Sequence, residues 1–298
     1  MNARLMPGHL ALGALALCLT ALALFSAAAC TRQGVGGNQE SVYERVERSG
    51  TIRAAYVVYP PSLIKDPNSG EISGISADVM RRVAEDLGLR LEWTEEVGWS
   101  TMIEGLETNR YDVVVSGIWP NASRARHVDF SIPLFYSGIG AYVRAGDTRF
   151  SSTLGNVNNA NVRIATIDGE MSDIIARTQF PNAQRISLPQ ISDVSQMLLN
   201  VKSNRADITF VEPAVAYDFI RNNRGSIRNI RPGDPVRVFG NSVMFRRGQY
   251  EFGRMLNTSI EVLLNSGEVD RIVDRYEPEP GAFYRVAAPY AVSPAPRH

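Results

Sequence analysis

The residue in this chain best placed to grip an anion is Arg124, inside the stretch Tyr111 to Tyr136 (YDVVVSGIWPNASRARHVDFSIPLFY). Asp112-Val-Val-Val115 reads as a short buried strand, and Ser116-Gly117 as the turn that ends it; Arg124 follows just beyond. In α/β proteins, ligands sit at the carboxyl ends of the strands. A guanidinium past such a turn offers a planar, two-pronged fork to a carboxylate. Since arginine is most often a surface residue, the elements around it have to decide.

Those elements alternate. Ser41 to Ser49 reads as a lead-in helix, and Thr51 to Val58 as the first strand, stopped by Tyr59-Pro60-Pro61 because proline cannot continue a ladder. Ser76 is placed to cap a helix to Leu87, with Val79, Val83 and Leu87 on one face and Gly88 as terminator. Leu89 to Trp93 reads as a strand, and Ser100 can cap a helix carrying Ile103 and Leu106. After Tyr142 to Arg144 the texture turns rich in Ser, Asn and Gly from Gly146 to Asn161, a linking segment. Strands then read at Val162 to Ile167, Arg185 to Leu188 and Asp207 to Val211, with helices at Glu170 to Thr178 and Ser192 to Val201 and one started by Pro213. Val236 to Phe245 holds one or two extended pieces, Tyr250 to Asn265 a long amphipathic helix, and Val269 to Tyr276 a short one. The Pro-rich tail reads as irregular. Alternation of this kind predicts an α/β fold with mostly parallel sheets and helices on both faces.

Composition excludes several functions. With 298 residues, 44% hydrophobic, the chain can build one large or two medium cores. Net charge is +0 and the arginines are scattered, so there is no nucleic-acid footprint. Both cysteines, Cys18 and Cys30, fall in the first 30 residues, and His9, His127 and His298 are dispersed, so no disulfide framework, metal centre or cofactor site is expected in the body. No phosphate loop, zinc-protease or nucleophile-elbow motif occurs. The N-terminus has secretory anatomy: Arg4, an apolar run from Ala11 to Phe25, then small residues Ser26 to Ala29. Residues 1–29 read as a signal peptide. The small residues ending in Cys30 resemble a bacterial lipobox, with Ala27 where Leu is usual. Residues 30–40 then read as a lipidated, Gly-rich tether. A retained membrane anchor and plain secretion are the competing readings; all three place the body outside the cytoplasm.

The ordered series Tyr59-Pro-Pro, a Gly-x-x-x-Asp helix, Trp99, Tyr111-Asp-Val-Val-Val-Ser-Gly117 and Ser123-Arg-x-x-x-Val-Asp-Phe-Ser-x-Pro133, with Arg205-Ala-Asp and Glu212 later, resembles the polar-amino-acid type of extracytoplasmic solute-binding protein, family 3, over residues 48 to 277. The resemblance implies a two-lobe periplasmic-binding fold (type II) with a two-strand hinge. Lobe 1 would span 41–143 and 246–298, the latter including the tail, and lobe 2 would span 144–245. It implies a monomeric receptor that traps a small solute between the lobes and delivers it to an ABC permease.

By that resemblance Arg124 grips the ligand carboxylate, the Gly117 carbonyl receives its amine, Trp99 lies against it, and Glu212 pairs with the amine. Ser116 and Tyr59 flank the site. Other positions depart from the family pattern: Trp119 and Asn121 stand where threonines are usual, Gly169-Glu170-Met171 replaces a small hydroxyl-bearing turn, and Val57-Val58 replaces an aspartate. Glu170 and Glu212 make lobe 2 acidic, which suits a zwitterion, and Trp99, Trp119, Tyr59 and Tyr136 suit a ring or an ammonium group. Two other functions use the same cleft: a dehydratase of cyclic amino or keto acids with Glu170 or Glu212 as general acid, and a sensor for a separate signalling partner.

Overall fold

The protein is described here from a computed structural model covering residues 40–286. The signal peptide, Cys30 and nearly all of the tether read from the sequence lie outside the described residues. No described helix is long and apolar enough to cross a membrane.

The first sheet grows from β1 (Thr51–Tyr56), which lies between β4 (Arg90–Glu96) and β5 (Val113–Ile118), parallel to both. Helix α1 (Val42–Ser49) leads in and buries Val42 and Val46. A two-stranded hairpin of β2 (Ile64–Lys65) and β3 (Ile72–Ser73) precedes α2 (Ile75–Asp86), and α3 (Met102–Glu107) links β4 to β5. Every residue of β5 is buried, as a strand covered on both faces requires. A 3-10 turn (Arg124–Arg126) and β6 (Val128–Phe130) follow. β7 (Phe135–Gly138) then runs through Ile139 into β8 (Gly140–Arg144), which belongs to the second sheet.

In that sheet β9 (Arg163–Ile167) lies parallel to both β10 (Gln184–Leu188) and β11 (Ile208–Val211), while β8 pairs antiparallel with β11 and with β12 (Ile227–Asn229). Helices α4 (Met171–Gln179), α5 (Ser195–Lys202) and α6 (Pro213–Asn222) connect them. The chain returns along β13 (Val238–Arg246), whose first half pairs with β7 and whose second half pairs with β5 and β6. Helices α7 (Tyr250–Asn265) and α8 (Glu268–Tyr276) close the first core with α2, and β14 (Phe283–Tyr284) adds to β7. The result is the two-lobe, two-strand-hinge architecture that the resemblance implied. Both sheets are mixed, because each hinge strand enters a parallel core running the opposite way.

Several local expectations shift. Ser116 and Gly117 continue β5; β13 pairs with it at Ile118 and holds it extended, so the chain turns only after Trp119. Ser76 lies inside α2, where its hydroxyl donates to the Ser116 carbonyl at 3.1 Å and meets the Ser62 hydroxyl at 2.7 Å; Gly74 caps the helix instead. A Cβ at Gly74 would come within 2.8 Å of the Pro61 and Ser62 carbonyls, so only glycine lets the chain pass there. α3 begins after Thr101 rather than Ser100. Within the described residues the tail includes a strand, β14, at Phe283, which is buried.

Each lobe carries the same polar device one residue before its inner strand. Asp112, fully buried, accepts from the Arg53 amide at 2.7 Å and from the guanidinium groups of Arg53 and Arg45. Asp207 accepts from the Arg163 amide at 2.9 Å and from the side chains of Arg163, Arg149 and Arg144. Burial works against the Asp207 charge, but these arginine hydrogen bonds hold its carboxyl well below the usual carboxylate range.

Candidate functional site

The carboxyl ends of β1 and β5 in one lobe face those of β9 and β11 in the other. The loop after β1 supplies Tyr59, the loop after β4 supplies Trp99, and β5 supplies Gly117 followed by Trp119. The turn beyond supplies Arg124. From the second lobe, the β9–α4 junction brings Gly169, Glu170 and Met171, and the β11–α6 junction brings Glu212. Tyr59, Trp99, Gly117, Trp119, Arg124, Glu170 and Met171 line one small cavity of about 10 Å³, room for about one water. The lobes therefore meet tightly at this point. A larger groove of about 380 Å³ lies between the Pro60-Pro61 turn and α6, but neither Arg124 nor either site carboxylate reaches it.

Arg124 is 9% exposed. One terminal nitrogen donates to the Trp119 carbonyl at 3.4 Å and the other crosses to the second lobe, donating to the Gly169 carbonyl at 3.0 Å. Its guanidinium lies 5.9 Å from the centre of the Trp99 ring, and Trp99 packs edge-on against Tyr59. Among the described residues no carboxylate lies within salt-bridge distance of it. Burial lowers its pKa to about 10, against the pull of Glu170.

Glu170, 4% exposed, caps α4 by accepting from the Ser172 amide at 2.6 Å and from the Ser172 hydroxyl. Burial pushes its carboxyl up, while Ser172 and Arg124 restrain it. Glu170 is thus both a buried helix cap and a lining residue of the cavity. Glu212, 2% exposed, begins α6 without capping it. Burial raises its pKa to about 8; a hydrogen bond with Ser137 opposes the rise and repulsion from Glu170 adds to it. Burial, together with Glu212 and Glu170, also raises the Tyr59 phenol well above its usual value.

Not every expected residue lines the cavity. Glu212 stands behind it, coupled to it electrostatically through Glu170 and Tyr59. Ser116 donates to the Val57 carbonyl at 2.8 Å, which joins β5 to the first strand's end. The Asn121 side-chain oxygen accepts from the Arg124 amide at 3.0 Å and so fixes the turn that aims Arg124. Gly169, at φ +75, acts through its carbonyl. Trp119 lines the cavity while stacking on Phe239 (4.3 Å between centres, 8° between planes) and donating to Asn241 at 2.9 Å. Asn241 in turn donates to the Ser137 hydroxyl at 2.7 Å. Phe239, Asn241 and Ser137 all lie on the hinge strands, more than a hundred residues from Trp119 in the case of the first two, and no local pattern marks them. Sequence reading also missed Gln190, whose side-chain oxygen accepts from the Ser100 amide across the lobes at 2.8 Å.

This geometry can be set beside known proteins. A sequence profile for bacterial extracellular solute-binding proteins, family 3, matches residues 52–279. The chain belongs to that family. A relative of this family 3 protein, a probable amino-acid ABC transporter-binding protein of Haemophilus influenzae, is 25% identical over 234 residues, 78% of this chain and 86% of the relative. The cyclohexadienyl dehydratase of Pseudomonas aeruginosa is 26% identical over 167 residues, 56% of this chain and 62% of that enzyme. Among solved structures, the ancestral amino acid-binding protein AncCDT-1, a precursor of cyclohexadienyl dehydratase, overlays with TM-score 0.70 at 22% identity, covering 80% of this chain and all of that one. That overlay agrees with the two-lobe fold.

Proposed function

We propose that this family 3 protein is an extracytoplasmic receptor for an amino acid or a closely related carboxylate-bearing solute, which it delivers to an ABC importer. One observation carries the reading: a buried guanidinium with no carboxylate partner among the described residues faces the buried Glu170 across the interlobe seam, with the buried Glu212 behind it. An α-carboxylate on Arg124 and an ammonium toward Glu170 would satisfy both sides. Trp99 and Tyr59 wall the cavity with rings, and the Gly117 carbonyl would receive the amine. Trp119, Asn121 and Ser116 shape and hold this wall, and Gly169 and Met171 form its other side. The relative from Haemophilus supports the solute class and the transport role. The leader and Cys30 support anchoring of a monomeric receptor to the membrane by lipid, near its permease.

The test is calorimetric titration of amino acids into wild type and Arg124→Ala. Truncating one partner of a buried charge-assisted pair costs about 2–5 kcal/mol, so amino-acid affinity should fall at least thirtyfold while circular dichroism is unchanged. Unaltered affinity in the variant would remove Arg124 from the site. A second reading, dehydration of a cyclic amino or keto acid, draws on Glu212, which burial keeps protonated near neutral pH and so able to donate a proton. Absence of turnover on such substrates would dispose of it.

A further inference from the structure

The groove of about 380 Å³ between the Pro60-Pro61 turn and α6 is built by both lobes and lies apart from the Arg124 cavity. The first lobe contributes the two prolines, Ile64, Tyr276 and Pro278; the second contributes the start of α5 and one side of α6, with Phe219. These walls are mainly apolar, and the two charged residues among them, Asp193 and Asp218, are both acidic. Asp218 is held by Arg221 at 3.0 Å. Asp193 accepts from the Ser195 amide at 2.8 Å, and among the described residues no cation pairs with it.

The chain itself arrives beside this groove. The Arg285 guanidinium pairs with Glu277 at 2.8 Å, and the Phe283 amide donates to the same carboxylate at 2.9 Å. Glu277 stands between Tyr276 and Pro278, both in the groove wall. The description stops one residue after Arg285, and residues 287–298 (AAPYAVSPAPRH) continue from there. In a polyproline II form, at ~3.1 Å per residue, such a segment spans about 37 Å, more than a groove of this volume needs. Its composition complements the walls: prolines at 289, 294 and 296, no acidic side chain, and a cation at Arg297. Proline enters a groove with φ already fixed, so little freedom is lost, and Pro-rich segments seat on aromatic walls. The segment also lies beyond residue 279, where the match to the family profile ends.

We propose that this groove is the seat of the chain's own tail: Ser293 to Pro296 lie against the Tyr276 and Phe219 rings, Arg297 pairs with Asp193, and the strap so formed holds the two lobes together. It is anchored on the first lobe through Arg285 and Glu277, and it grips the second through Asp193 and α6. Each contact is weak between separate molecules. Tethering makes the docking intramolecular, so the same contacts suffice. A strap that needs both walls at once favours the closed arrangement over an open one.

The experiment compares the full chain with one ending at Val286, by hydrogen exchange and by acrylamide quenching of tryptophan, with no ligand added. Loss of the tail should speed exchange across α6 about threefold or more, the worth of one or two such contacts. It should also raise quenching of Trp99 and Trp119, which the closed seam buries. In the full chain, Asp193→Asn, which keeps an oxygen for the Ser195 amide, and Arg297→Gln should each reproduce most of both changes. The double variant should add nothing, since the two act on one contact. Equal exchange across α6 in the full and shortened chains would overturn the proposal and leave the groove to a separate partner. Protection that rises with protein concentration would overturn it in favour of a second copy's tail. Protection that survives both single variants would overturn the proposed seat. Because every readout is taken without ligand, none of these outcomes bears on the receptor reading.

Discussion

Arg124 shows what a single residue reveals in sequence and what it hides. Its place after a buried strand, between Ser123 and Val128-Asp-Phe-Ser, marked it as an anchor, because that order is local. What surrounds it is not local: the Gly169 carbonyl it reaches lies 45 residues on, and the ring that backs Trp119 comes from a strand formed far later in the chain. Trp119 therefore read only as a cleft aromatic, when half of what it does is to stack on the hinge. Glu212 was legible as an acidic residue of the second lobe, but its burial was not, since charged side chains usually face solvent. That burial has a consequence for pH. The folded protein holds Glu212 protonated up to about pH 8, whereas an exposed glutamate releases its proton near 4.5. Between these values the native state binds more protons than the unfolded chain, so this group's contribution is full below about pH 4.5 and declines as pH rises through 8. Glu212→Gln in the ligand-free protein should accordingly raise the melting temperature more at pH 8 than at pH 5. Equal shifts at the two pH values would argue that Glu212 is not buried in the dominant state.

At the level of elements, hydrophobic periodicity located most helices and strands to within a few residues. Failures came where tertiary pairing decided. β5 passes through Ser116-Gly117 because β13 pairs with it, and two residues near the tail become a strand because β7 offers an edge. The β4–α3 loop and the β10–α5 loop meet across the lobes: Gln190 accepts from the Ser100 amide, and its side chain lies over Gly98 so closely that a Cβ there would fall 2.5 Å from it. Nothing in the sequence marked this contact, since a glycine and a glutamine after a proline are ordinary turn residues. This contact joins the two lobes at the seam. Gly98→Ala should displace Gln190 and lower ligand affinity about threefold to tenfold, roughly the value of one hydrogen bond, with the fold unchanged. Gln190→Ala should cost a similar amount, and the double variant no more than either alone, since the two act on one contact. Additive losses in calorimetry would show that the residues act separately.

Across the whole molecule, the two-lobe plan was legible from the alternation of strands and helices and from the ordered motifs, but the mixed character of the sheets was not, because strand direction depends on where the chain crosses. Both lobes place a buried aspartate, Asp112 or Asp207, against arginines on neighbouring elements. The carboxyl of Asp207 is held below its unfolded value, so its contribution is present above about pH 4 and is lost as pH falls further. Asp207→Asn should remove roughly 3 kcal/mol by leaving arginines without their anion, seen as a lower urea midpoint at pH 7 whose difference from wild type narrows toward pH 3. A constant difference across that range would mean the aspartate acts through its shape rather than its charge.

The two hinge crossings touch. The Ile139 amide donates to the Arg237 carbonyl at 2.9 Å, and the Val236 amide returns to the Ile139 carbonyl at 2.7 Å. The chain thus leaves the first lobe and comes back at nearly one point, which makes everything between a detour clipped shut at its neck. The entropy of closing such a detour grows only by about 0.6 kcal/mol for each doubling of its length. Loops in the second lobe can therefore lengthen, shorten or be traded with those of a relative while the other half keeps its register. Evolution, or an engineer, could retune what is held against Arg124 by rewriting the detour alone.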